Sequence, residues 1–203
     1  MLQLSSKIFL SLLIPALPVL VNAHSGHESV SPCSDAVVLD RRTIQVGDNQ
    51  VVLSGLSCPS DPGLESSNRD RAQAKSSLTT RTTRDVCGEP CTNLFCFTSG
   101  SFPIASDCAI IADALTILST NLGPTYQLNA TNGYYKQLVF GTCLTYIGVS
   151  AEEDTEACWS DWITVITDIS DECNTPARGP YGACTSFPPD LTYADFSMGL
   201  GHS

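Results

Sequence analysis

Ten cysteines among 203 residues, against two methionines and three histidines, constrain this chain more than any other feature. An even count at that density belongs to proteins folded in an oxidising compartment, where thiols close into disulfides. The expectation is that all ten pair, Cys33 with Cys58, and Cys87, Cys91, Cys96, Cys108, Cys143, Cys158, Cys173 and Cys184 among themselves. Eight cysteines allow on the order of 100 connectivities, and spacing alone does not choose one. The run Cys87-x₃-Cys91-x₄-Cys96 superficially matches a metal-cluster motif. In an oxidising compartment disulfides are the stronger reading.

Residues 1–23 have the form of a secretory signal. Lys7 is their one charge, Ile8 to Val21 is apolar, and Val21-Asn22-Ala23 places small residues at a cleavage site. Pro15 and Pro18 interrupt the apolar run, whereas a spanning helix needs about 20 apolar residues. A secreted, extracellular protein with no transmembrane segment is expected. The formal net charge of −11 argues against nucleic acid as a partner, since phosphate recognition needs clustered Lys and Arg.

Charge and cysteine positions divide the mature chain. Residues 24–59 read as a small β-hairpin clipped by Cys33 and Cys58, with Thr43-Ile-Gln-Val leading in, Gly47-Asp48-Asn49 turning and Gln50-Val-Val-Leu returning. Residues 60–84, rich in Ser, Thr and Arg and without an apolar period, read as a polar linker. Residues 85–203 read as a cysteine-rich domain; from Cys87 onward two basic residues face thirteen acids. A helix is expected from Asp107 to about Asn121, capped by Ser106, with Asp113, Thr116 and Thr120 on its wet face. Asn132-Gly133 between two β-rich runs, 126–130 and 134–140, predicts a hairpin. Residues 143–149 read as a further strand. A second helix is expected to open at Ser150 with Glu153 as a capping box. Its apolar face is Trp159, Trp162, Ile163, Ile166, Ile169 and Cys173, and it stops at Asn174-Thr-Pro176. The remainder reads as loop with one strand near 191–196. The fold class is α+β: two helices packed on a small antiparallel sheet, disulfide-stapled, with the clipped hairpin ahead of it.

Asp85-Val-Cys-Gly-x-x-Cys, Cys96-Phe and Asp107-Cys-x-x-Ile-Ala-Asp-Ala-Leu, followed by Cys143, Cys158-x-x-Asp161-Trp162 and Gly182-x-Cys184, form one pattern. It resembles an uncharacterised family of cysteine-rich small secreted proteins from mushroom-forming fungi. The layout of helix, sheet and helix is more distantly similar to killer-toxin-like and necrosis-inducing secreted effectors. The resemblance implies an α/β sandwich and an effector role; it carries no catalytic residues. Tyr181-Gly182-Ala183 stands where that pattern has paired glycines, and the residues after Cys184 are proline-rich.

The candidate chemistry is sparse. Cleavage after Ala23 would expose His24 with His27 nearby, a copper-chelating arrangement that needs a rigid partner histidine; here solvated residues are expected, and His202 falls in a tail. Asp161, Asp168 and Glu172, with Glu152, Glu153, Asp154 and Glu156 close in sequence, form an acidic stripe that reads as a solvated helix face. The sharper alternative is a carboxylate pair for glycoside hydrolysis. With no histidine between His27 and His202, the later domain has no Ser-His-Asp or Cys-His arrangement. Trp159 and Trp162 read as core rather than as a sugar platform. Asn129-Ala-Thr131 is an N-glycosylation acceptor, and Arg41-Arg42 a processing site inside the clipped loop.

The expected function is that of a secreted, non-enzymatic, effector- or toxin-like protein binding an extracellular target, a cell-wall glycan or a protein, without cofactor or metal. The alternatives are a cell-wall glycan-binding module or an acid-only glycoside hydrolase, and a structural extracellular protein.

Overall fold

A computed structural model describes residues 33, 35–58, 83–129, 134–149, 154–186 and 196–203. The signal at 1–23, His24 and His27, nearly all of the linker, Asn132-Gly133, Ser150 to Glu153 and residues 187–195 lie outside these.

Ten strands and two helices make up the described chain. In order they are β1 (Val37–Val46), β2 (Asn49–Ser57), β3 (Thr83–Asp85), β4 (Asn93–Phe97), α1 (Ala105–Leu122), β5 (Thr125–Leu128), β6 (Tyr134–Phe140), β7 (Cys143–Val149), β8 (Asp154–Cys158), α2 (Trp159–Cys173), β9 (Tyr181–Ser186) and β10 (Phe196–His202). Seven strands form one antiparallel sheet in the order β1-β2-β6-β7-β10-β9-β4, and three form a second in the order β3-β8-β5. The class is α+β. The large sheet corrects the expectation of a small one.

Register shows how the core is laid down. Leu53, Leu138, Thr145, Leu200, Gly182 and Cys96 are successive cross-strand partners, a single row across the sheet. Period-2 alternation puts such a row on one face, and its apolar members join Ile111, Leu115, Trp162 and Ile166 in the core. Helix α1 covers β1, β2, β6 and β7; α2 covers β4, β9 and β10; the helices touch each other between. Gly182 has a packing duty here. A Cβ at that position would lie 2.7 Å from Cys173 Sγ and 2.9 Å from Ile169 Cγ2. Its absence lets α2 settle onto the sheet.

The disulfides staple helix to sheet. Cys108 on α1 joins Cys143 on β7, and Cys173 on α2 joins Cys96 on β4. Cys91 joins Cys184 on β9, Cys87 joins Cys158 at the start of α2, and Cys33 joins Cys58. A loop-closing bridge of this kind stabilises by about 2–4 kcal/mol. The early hairpin forms as the alternation predicts and turns at Gly47, whose φ of 57° suits a residue without a Cβ. It is not isolated, because β2 pairs with β6 through its other edge.

Several elements differ from the sequence reading. Ser106 does not cap α1, which starts at Ala105. The Ile104 N–H donates instead to Thr142 Oγ1 at 2.8 Å, and that hydroxyl donates to Asp107 Oδ2 at 2.8 Å, so the β6–β7 turn serves the helix start. The hairpin expected across 126–140 does not form. Both edges of β6 are taken by β2 and β7, and β5 pairs with β8 in the other sheet. Helix α2 opens at Trp159 rather than Ser150; residues 154–158, expected to be helical, are strand β8. The Trp159 N–H donates to Pro124 O at 3.1 Å. The loop expected after α2 contains β9, and His202, placed in a tail, ends a strand that pairs with Cys143.

Candidate binding surface

All ten cysteines are paired, and none is free among the described residues. Cys87, Cys158 and Asp161 bring their ligand atoms within 4.8 Å of one another. Their sulfurs are joined as a disulfide, and metal ligation needs thiolates. Asp161 has a structural partner instead, accepting from the Gly88 N–H at 2.6 Å.

The acidic stripe separates into different duties. Asp161 anchors the turn at Gly88, Asp168 is exposed, and Glu172 pairs with Arg178. The tryptophans are core, Trp159 at 2% and Trp162 at 0% exposure. Trp162 Nε1 donates to Thr145 Oγ1 at 2.9 Å, and Thr145 passes the chain on to Gly199 O at 2.7 Å. Tyr126 packs 4.1 Å from the Trp159 ring; burial, helped by the Asp161 charge, pushes its phenol well above the ordinary tyrosine value. Val165, missing from the expected apolar face of α2, is buried with it.

The face of the large sheet away from the helices carries a different row: Ser54, Gln137, Tyr146, Gly199, Ala183 and Phe95. Two glycines on this face make room for aromatic rings. A Cβ on Gly199 would fall within the Tyr146 ring, and one on Gly148 within the Tyr135 ring. The two tyrosines meet edge to face at 6.2 Å. Burial first, and the neighbouring Tyr181 second, raise the Tyr146 phenol above its usual value.

At the β4 end the aromatics reach solvent. Phe95 and Phe97 are 50% and 41% exposed, and Phe97 stacks on Tyr181 at 4.9 Å. The following loop is held against this pair, with Ser99 Oγ 3.4 Å from the Tyr181 hydroxyl and Gly100 over the Tyr181 ring. Phe102 and Ile104, further along the same loop, are exposed too. Strand β4, Asn-Leu-Phe-Cys-Phe, has no charged residue, and among the described residues it is the end strand of the sheet. The signal for this surface was present in the alternation of Leu94 and Cys96 against Phe95 and Phe97. Sequence reasoning took Cys96-Phe97 as part of a cysteine pattern and missed it.

Asn129 is exposed and follows directly on β5. Arg41 and Arg42 lie within β1, paired with Ser54 and Leu53. No protein family, no characterised protein and no solved structure matches this chain.

Proposed function

We propose that the protein is a secreted, non-catalytic binding protein of the effector type, and that it takes an extended segment of a partner protein onto the β4 edge. The observation that carries this reading is an uncharged edge strand with two exposed phenylalanines. Edge strands present unpaired N–H and C=O groups to any extended peptide, and soluble proteins ordinarily guard them with charge. Main-chain pairing supplies affinity in such augmentation, and side chains on alternate positions supply specificity. Five disulfides fit an extracellular protein, as does the secretory pattern of residues 1–23. Among the described residues no helix is long and apolar enough to cross a membrane. The resemblance to fungal secreted proteins and effectors points the same way.

The glycan-binding reading has its own support: Tyr135 and Tyr146 lie against Gly148 and Gly199, and rings laid on a sheet suit sugar stacking. One experiment separates the two. Mature protein is incubated with fungal, bacterial and plant wall fractions, each intact, protease-treated or polysaccharide-depleted. Loss of retention after protease, and in the double variant Phe95→Lys/Phe97→Lys by about 30-fold, is expected for two anchors of about 1 kcal/mol each acting together. Retention that survives protease and disappears with the polysaccharide overturns the protein-partner reading in favour of glycan.

A further inference from the structure

Lys136 is the one lysine among the described residues, and it sits where lysines are seldom found. Along β6 it shares a face with Tyr134 and Leu138, so it points to the helix side of the sheet. Its cross-strand partners are Gly55 on β2 and the fully buried Ile147 on β7. The side chain is half-buried, and among the described residues it forms no ion pair. Nζ donates instead to the Tyr134 hydroxyl at 3.2 Å, and that hydroxyl donates to Asp40 Oδ2 at 3.4 Å. Gly55 makes room for the arrangement, since a Cβ there would collide with the Asp40 carboxylate and the Tyr134 hydroxyl. Because the phenol proton is committed to Asp40, it does not cap the amine, and a neutral Nζ keeps its lone pair free.

Burial pushes the Lys136 amine below the ordinary lysine value of 10.5; the Asp40 charge opposes this and the Arg42 charge adds to it. Both of those charges stand on β1. Strands β2, β5 and β7, which pack against β6, carry no charged residue. Of the two acids on α1, Asp107 is bound at the β6–β7 turn and Asp113 is exposed. A larger share of this amine is therefore neutral near pH 7 than of an ordinary lysine.

We propose that Lys136, held by Tyr134 and Asp40, is a nucleophilic amine that captures small aldehydes as imines. The Nζ lone pair adds to the aldehyde carbon, and the carbonyl oxygen takes the displaced electron pair. The nitrogen's two hydrogens pass to that oxygen, the C–O bond breaks, water leaves, and a C=N bond stands in place of C=O. The site lies toward the β1 end of the sheet and is independent of the partner reading at β4.

The test treats the full chain with glycolaldehyde and cyanoborohydride, which reduces the imine to a stable amine, from about pH 6 to 9. Nα-acetyllysine amide in the same solution serves as the reference amine, and peptide mapping locates the label. At neutral pH Lys136 is expected to be labelled several-fold faster than the reference. Asp40→Asn removes the charge that favours the ammonium, so the rate profile should move to lower pH. Arg42→Gln removes the charge that disfavours it, so the profile should move to higher pH. Labelling at Lys136 no faster than the reference overturns the proposal, and so does a profile that neither variant moves.

Discussion

At one end of the large sheet β1 carries Asp40, Arg41 and Arg42 in succession, and its pairing with β2 shifts register between Val38 and Asp40. At the other end β4 runs straight against β9 for five residues with no charge at all. Val37, Val38 and Leu39 are as exposed as Phe95 and Phe97. On β1, though, the register shift and the charged trio interrupt any template they would offer. Bulges and charges are the usual means of keeping a sheet edge from recruiting another strand. One edge has both and the other has neither. The lesson is that exposure of apolar side chains does not by itself mark a docking edge. What marks it is exposure on a regular strand without a guard.

The largest expected effect sets an aromatic of the inner face against one at the bare edge. Trp162→Ala removes a fully buried ring together with the donor to Thr145, and is expected to cost about 3–5 kcal/mol of stability, read from denaturant unfolding. Phe97→Ala is expected to change stability by under about 1 kcal/mol while sharply reducing wall retention. If both variants unfold alike and bind alike, the division between core and edge aromatics is wrong.

A smaller effect comes from Gly182, which lies across from Cys96 on β4. Gly182→Ala pushes a methyl group against Cys173 Sγ, Ile169 and the Phe95 carbonyl, and overpacking of this kind costs about 1–3 kcal/mol. Because it displaces α2 from beneath the bare edge, retention should weaken along with melting temperature. A variant that melts like the parent would mean that the helix has slack there.

The smallest expected effect sharpens the guarded side. Burial first, then the charge of Asp40, push the Tyr134 phenol from its usual 10.0 up to about 12. A folded-state value raised above the unfolded one contributes stability that is complete below pH 10 and is lost as pH climbs toward 12. Asp40→Asn should bring the Tyr134 phenolate absorbance to lower pH, leaving Tyr126 and Tyr146 late. An unmoved titration would show that the β1 charges act on solvent alone.

Local pattern accounts for what was legible in the sequence. The 3.6-residue period placed Trp159, Trp162, Ile166 and Ile169 in the core, and alternation placed β7 and the first hairpin. The pairing of Cys33 with Cys58 followed from their isolation early in the chain. Long-range pairing was not legible. Tyr126 to Leu128 has the composition of a hairpin arm, yet its partner is the acid-rich Asp-Thr-Glu-Ala-Cys of β8, which buries only Thr155 and Ala157 and so gives a faint alternation. Strands β9 and β10 hold glycines at 182, 199 and 201 where strand propensity expects bulk, because α2 and the Tyr146 ring occupy that space at the first two. The bare edge was visible as letters, but its exposure depends on β4 being the last described strand of the sheet, which only topology decides.

That topology has a consequence for timing. Strand β10, the last described strand along the chain, lies between β7 and β9. Until it is in place, the sheet exists as two unjoined pieces, β1-β2-β6-β7 and β9-β4. The ribosome delivers this central strand after the other nine described strands, while Cys91 waits 93 residues for Cys184. Through that interval Cys91 lacks its native partner and the two pieces of the sheet stay unjoined, while Cys33–Cys58 and Cys108–Cys143 are already able to close. Maturation of the chain should depend on enzymes that reshuffle early, mistaken disulfides once synthesis has ended.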